Sequence, residues 1–175
     1  MERIVVGIDG SDGAARALRW AIGLASETGA EIIAVYALGP LHDLARGTAD
    51  AISHGLGLVP SGLAWRKELQ RKLEEVWCAP LRAAGLPFRT VLEKASAADG
   101  LIAVADREDA DLIVVGAHAE GSLEDRVLGS VSLTLGHRAH RPVVIVPPTA
   151  AEVALTGQGS DVLPAGVAPR ERARP

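Results

Sequence analysis

Two short stretches carry residue types that could bind an anion. The first is "GIDGS" (residues 7 to 11), where Asp9 follows an apolar run and sits among glycines. The second is "DLIVVGAHAEGSLEDRVLGSVS" (residues 111 to 132), in which Gly116 closes a strand-like run and Gly129-Ser130 stands where a helix begins. A glycine directly after a strand permits a tight turn or the close approach of a ligand. A helix start leaves amide N–H groups without intrahelical acceptors, here on Val131 and Ser132, and the helix dipole favours negative charge there. Phosphates commonly use such termini, and the hydroxyls of Ser130 and Ser132 add donors. Gly116 and Gly121 have the G-x-x-x-x-G spacing of a Walker loop, but Ser122 stands where that loop needs lysine. No G-x-G-x-x-G follows the first strand, which argues against a conventional dinucleotide site. Asp9, Ser130 and Ser132 do not assemble with a base into a nucleophilic set, so no catalytic residue is assigned. His137 and His140 lie three apart near a helix end, where imidazole complements the dipole, and with His118 they do not make a metal site.

These residues must be positioned by an alternation of elements. "RIVVGI" (3 to 8), "EIIAVYAL" (31 to 38), "PFRTVLEK" (87 to 94), "DLIVV" (111 to 115) and "PVVIV" (142 to 146) read as strands, the apolar ones buried on both faces. Between them, Ala14, Ala17, Leu18, Ala21, Leu24 and Ala25 draw one helical stripe, capped by Ser11 or Asp12 and stopped by Gly29. Asp9 is itself a candidate cap, a role compatible with facing a ligand. Trp65, Leu69, Leu73, Val76 and Trp77 predict one face of a second helix, which Pro80 bends or ends. Leu101, Ile102 and Val104 belong to a third helix over 97–106, and Leu128, Val131 and Leu135 to a fourth. The segment 39–62 reads as a long loop with a short helix at most. Strand, helix, strand repeated in this way predicts an α/β fold: a five-stranded, mostly parallel open sheet with helices on both faces. In such a sheet, ligands lie beyond the carboxyl ends of the strands where strand order reverses.

The 175 residues suffice for one domain with a sizeable core. With 48% hydrophobic and only 3% aromatic residues, that core must come from Val, Ile, Leu and Ala. A net charge of −4 offers no attraction to nucleic acid or an anionic membrane. No apolar run approaches the roughly 18 residues of a bilayer span, and no signal-peptide pattern follows Met1, so a cytoplasmic location is expected. A lone cysteine, Cys78, precludes an internal disulfide and reads as a small residue on a helix face.

"IVVGIDGSDGAARALRWA", "ADLIVVGAH" and "LGSVSLTLGHRAHRPVVIVPP" resemble the beginning and end of a universal stress protein domain. The resemblance covers residues 1–148, leaving 149–175 as a flexible C-terminal tail, and implies a Rossmann-like fold of the adenine nucleotide α-hydrolase type. It implies a regulatory module that binds ATP, with AMP or cyclic AMP as alternatives, and Mg²⁺ at the phosphates. Activity is then at most slow ATP hydrolysis or autophosphorylation, and a homodimer through strand five is expected. The family motif, G-x-x-G, nine residues, then G-S or G-T, aligns with Gly116, position 119 and Gly129-Ser130. By the same resemblance Asp9, preceded by Gly7 and Ile8, faces the nucleotide and its metal, and Ala37 lies against the adenine. Val115 flanks the base, Gly116 and Ala119 line the ribose and phosphate path, and Gly129, Ser130, Val131 and Ser132 hold phosphate oxygens. Position 119 departs from the motif by carrying alanine, and Glu120 stands where nucleotide-binding members commonly have a basic residue. Glu120, Glu124 and Asp125 set negative charge there against His118 and Arg126. These departures define the alternative, a homologue that has lost nucleotide binding and acts through protein contacts. An enzyme of the wider α-hydrolase superfamily ranks below both.

Overall fold

In the computed structural model, which describes residues 1–39, 62–117 and 129–149, the five apolar runs form one parallel sheet. The strands are β1 (Arg3–Gly7), β2 (Glu31–Ala37), β3 (Phe88–Glu93), β4 (Leu112–Gly116) and β5 (Val143–Val146), in the order β3-β2-β1-β4-β5. Every pairing is parallel, with Ile4 opposite both Ile32 and Leu112. Continuous β-branched runs suit the central strands because both faces are covered: Ile4, Val5 and Val6 are fully buried.

The helices are α1 (Asp12–Thr28), α2 (Gly62–Lys72), α3 (Ala79–Ala83), α4 (Ala97–Arg107) and α5 (Ser130–Arg138). Ala17, Leu18 and Ala21 of α1 pack with Ile4, Val6 and Ile32 on one face, together with Leu73 and Leu81. On the other face, Leu101 and Val104 of α4 and Leu135 of α5 pack against Val5, Ile33 and Ile113. The order reverses between β1 and β4, so the carboxyl ends of these two strands flank the crevice where such sheets take ligands.

α1 starts at Ser11, whose hydroxyl accepts from the Ala14 amide at 3.1 Å, and ends at Gly29 in the left-handed region (φ 74°). The expected second helix departs from a simple stripe. α2 runs into a π-helical segment, Leu73–Trp77, in which the Cys78 amide reaches back five residues to the Leu73 carbonyl at 2.9 Å. Pro80 follows at once and has no amide to continue an α-helical ladder. The passed-over Glu74 carbonyl accepts from Arg82 Nη2 at 3.3 Å. The extra residue in this turn rotates the positions after it. Val76, expected on the packed face with Leu69 and Leu73, is therefore 54% exposed, while Leu73 is fully buried. Cys78 is buried, and burial pushes its thiol up to about 11, which keeps it in the unreactive thiol form. Residues 40–61, 118–128 and 150–175, and with them the expected long loop, Ala119, Glu120 and the tail, lie outside the described residues.

Candidate functional site

The cleft at the reversal point is built from four strand and helix ends. β1 supplies Gly7, Ile8 and Asp9, and β2 supplies Tyr36 and Ala37. β4 supplies Val115 and Gly116, and the start of α5 supplies Gly129, Ser130, Val131 and Ser132. Ten of the eleven residues singled out in the sequence thus line one cavity of about 160 Å³; Ala119 is outside the described residues.

The geometry at α5 decides what the cleft offers. Gly129 is the helix cap, and its own amide donates to the Ala117 carbonyl at 2.8 Å, tying the helix start to the end of β4. The first intrahelical bond runs from Leu133 to the Gly129 carbonyl at 3.0 Å. The amides of Ser130, Val131 and Ser132 precede it and find no acceptor among the described residues. Helices leave just these groups for water, a side chain or a ligand. No Lys, Arg or His is among the described residues lining the cleft, so its positive end is made by backbone. The two hydroxyls differ. Ser132, buried, donates through Oγ to the Gly116 carbonyl at 3.1 Å, so its hydrogen is committed within the fold. Ser130 is exposed, and its hydroxyl has no partner among the described residues.

Asp9 faces this helix start from across the cleft. Its Oδ1 accepts from the Ser11 amide at 2.9 Å and from the Ser11 hydroxyl at 2.6 Å, which leaves Oδ2 without a partner among the described residues. Ser11, not Asp9, is the cap of α1, and Asp9 braces it. Replacing Ser11 by alanine is expected to cost about 1 kcal/mol, roughly 2 to 4 °C in a thermal melt, and to release the carboxylate from one of its two bonds. An unchanged melt would contradict this arrangement.

Tyr36 and Leu101 are among the other residues that line the cleft. Tyr36 precedes Ala37 on the opposite face of β2, and its phenol is half-buried beside Asp9. Burial first, and the Asp9 charge second, raise its pKa above the ordinary 10. The unfolded chain therefore loses this proton first, and the corresponding stability, complete below pH 10, declines as pH rises through the folded-state value. Tyr36 is the only tyrosine, so the phenolate absorbance reports it alone. Its midpoint should lie above 10 and fall only partway in Asp9→Asn, because burial remains; no change on removing Asp9 would contradict their proximity. Leu101, in the first turns of α4, packs against Gly7, where a Cβ would sit 3.2 Å from Leu101 Cδ1 and 3.2 Å from Val115 Cγ1. No local sequence pattern marks Leu101, because only the crossover brings α4 beneath β1.

The model of the universal stress protein family matches residues 1–147. A universal stress protein of Methanocaldococcus jannaschii is 32% identical over 148 residues, covering 83% of this chain and 81% of that protein. A Mycobacterium tuberculosis universal stress protein is 34% identical over 148 residues, which are 82% of this chain but 46% of that protein, so the chain spans about half of its length. A solved universal stress protein in complex with cAMP is 25% identical, with a TM-score of 0.57 over 83% of this chain and 95% of that one. Among the described residues, no helix is long and apolar enough to cross a membrane.

Proposed function

The chain belongs to the universal stress protein family, and from that premise we propose that it is a regulatory module that binds an adenine nucleotide in the cleft between β1 and β4. The carrying observation is the set of three amides, on Ser130, Val131 and Ser132, that open α5 without an acceptor among the described residues and border the same cleft as Asp9. The relative solved with cAMP supports an adenine nucleotide as the occupant.

In this reading the base lies between Ala37 and Val115, the ribose passes Gly116 and Ala119, and the phosphates take the α5 amides. The cavity of about 160 Å³ is smaller than the roughly 300 to 1,000 Å³ of enclosed small-molecule sites. The base therefore fills it and the phosphates occupy its open mouth. Backbone amides at a helix terminus suit phosphate oxygens, each charge gaining about 0.3 to 1 kcal/mol from the dipole. The donor set also fits Mg²⁺, which is commonly held by one or two carboxylates and the phosphates themselves. Asp9 Oδ2 would supply that single carboxylate. ATP is the nucleotide we assign, with AMP and cyclic AMP as alternatives. We assign the module a binding and reporting role, with at most slow hydrolysis or autophosphorylation. Two copies would pair through β5, whose outer edge is one end of the sheet and carries Val143, Val144, Ile145 and Val146.

Native mass spectrometry of the purified chain tests this reading by revealing carried-over nucleotide. In parallel, Mg-ATP at one hundred times its Kd should stabilise the fold by about 2.7 kcal/mol, raising the melting temperature by roughly 5 to 11 °C. No bound nucleotide and no shift with millimolar ATP, AMP or cyclic AMP would replace this reading with that of a homologue acting through protein contacts alone.

A further inference from the structure

The carboxylate at the mouth of the cleft sits in a turn that is held from outside by an aromatic side chain of the π-helical segment. Gly10, next to Asp9, is in the left-handed region (φ +87°), and a Cβ there would lie 2.7 Å from Trp77 Cζ2 and 2.9 Å from Cε2. The indole thus lies directly on the backbone of the turn. Trp77 is in turn fixed by its neighbours. Its ring stacks on Tyr36 with centroids 5.6 Å apart and an interplanar angle of 7°. The Lys72 ammonium stands 5.0 Å from its ring centroid. The π-helical turn places Trp77 at this height, since the same residue in an unbroken α-helix would be rotated away.

We propose that Trp77 is a positioning residue for the nucleotide site: by packing on Gly10 it fixes the turn that presents the Asp9 carboxylate to the cleft. Its effect on binding rests on the nucleotide reading above; its effect on the turn does not. Within the turn, the pair of bonds from Ser11 to Asp9 Oδ1 is the other brace among the described residues. Without the indole, Gly10 regains the wide freedom of a glycine backbone and Asp9 loses its fixed direction.

Hydrogen exchange of the Ser11 amide, which donates to Asp9, reads the turn directly in the full chain without ligand. Trp77→Ala should speed this exchange about tenfold while the amides of β1 and β4 keep their protection. Mg-ATP affinity, measured by titration calorimetry, should weaken by about tenfold, because the Asp9 carboxylate no longer meets the metal in a fixed direction. Trp77→Phe keeps an aromatic face for Tyr36 but lacks the outer ring carbons that meet Gly10, so it should restore stability more than Ser11 protection. If Trp77→Ala does not fold, Trp77→Phe carries the same test. Trp20→Ala removes an indole that is 41% exposed on α1 and should change neither readout. Unchanged Ser11 exchange in a folded Trp77 variant would overturn the assignment. If the unsubstituted chain binds none of Mg-ATP, AMP and cyclic AMP, the nucleotide reading fails, and the exchange arm alone still decides the role of Trp77.

Discussion

Gly116→Ala is expected to be among the most destabilising single-atom additions in this chain. A Cβ at that position would lie 2.5 Å from the carbonyl carbon and oxygen of Gly13 and 2.8 Å from its Cα. The first turn of α1 therefore touches the end of β4 backbone to backbone, and there is no side chain whose rotation could make room. Overpacking of this kind costs about 3 kcal/mol or more, equivalent to a fall of roughly 6 to 12 °C in melting temperature. Gly13 is buried at the same contact. A Gly116→Ala variant that melts with the unsubstituted chain would mean that α1 does not approach β4 this closely. The same contact separates two uses of this glycine. Whatever the ligand does, Gly116 is required by helix-on-strand packing.

Gly129→Asp should do the opposite: preserve the fold and remove the ligand. Gly129 has φ −59° and ψ 156°, a conformation open to any residue, and its amide bond to Ala117 survives substitution. Aspartate is a better helix cap than glycine by a few tenths of a kcal/mol, so the melting temperature should hold or rise slightly. Its carboxylate would accept from the amides that the phosphates need and would stand against the phosphate charge. At about 4 Å and an effective dielectric constant near 20, that repulsion is about 4 kcal/mol, roughly a thousandfold in Kd. Isothermal titration with AMP alongside a thermal melt checks both halves. Undiminished affinity in the folded variant would place the nucleotide elsewhere.

Much of the architecture was readable because buried parallel strands and amphipathic helices have distinct periods. "RIVVGI", "EIIAVYAL" and "DLIVV" could serve only strands covered on both faces, and the stripe from Ala14 to Ala25 could serve only a helix packed on one side. The structure differs where a local rule met a neighbour. Val76 follows the helical period, yet the wider π-helical turn before Pro80 turns the side chain outward. Ser132 has the type and place of a phosphate donor, yet its hydroxyl is spent on Gly116. Gly116 reads as a ligand glycine from its position in the motif, and its contact with Gly13 is invisible without the packing of α1. Trp77 reads as ordinary helix packing, because nothing in its own segment reveals that Gly10 lies beneath it. Periodicity thus locates elements, whereas the reason for a particular residue often lies across the sheet.

Nucleotide binding in this cleft requires that three amides at the start of α5 be available to an anion across from Asp9. Amide chemical-shift mapping during an AMP titration measures those groups individually. The predicted result is a saturable shift largest at Ser130, Val131 and Ser132, accompanied by smaller shifts at Asp9 and Ser11. Saturable shifts confined to other residues, or none at millimolar AMP, would contradict it.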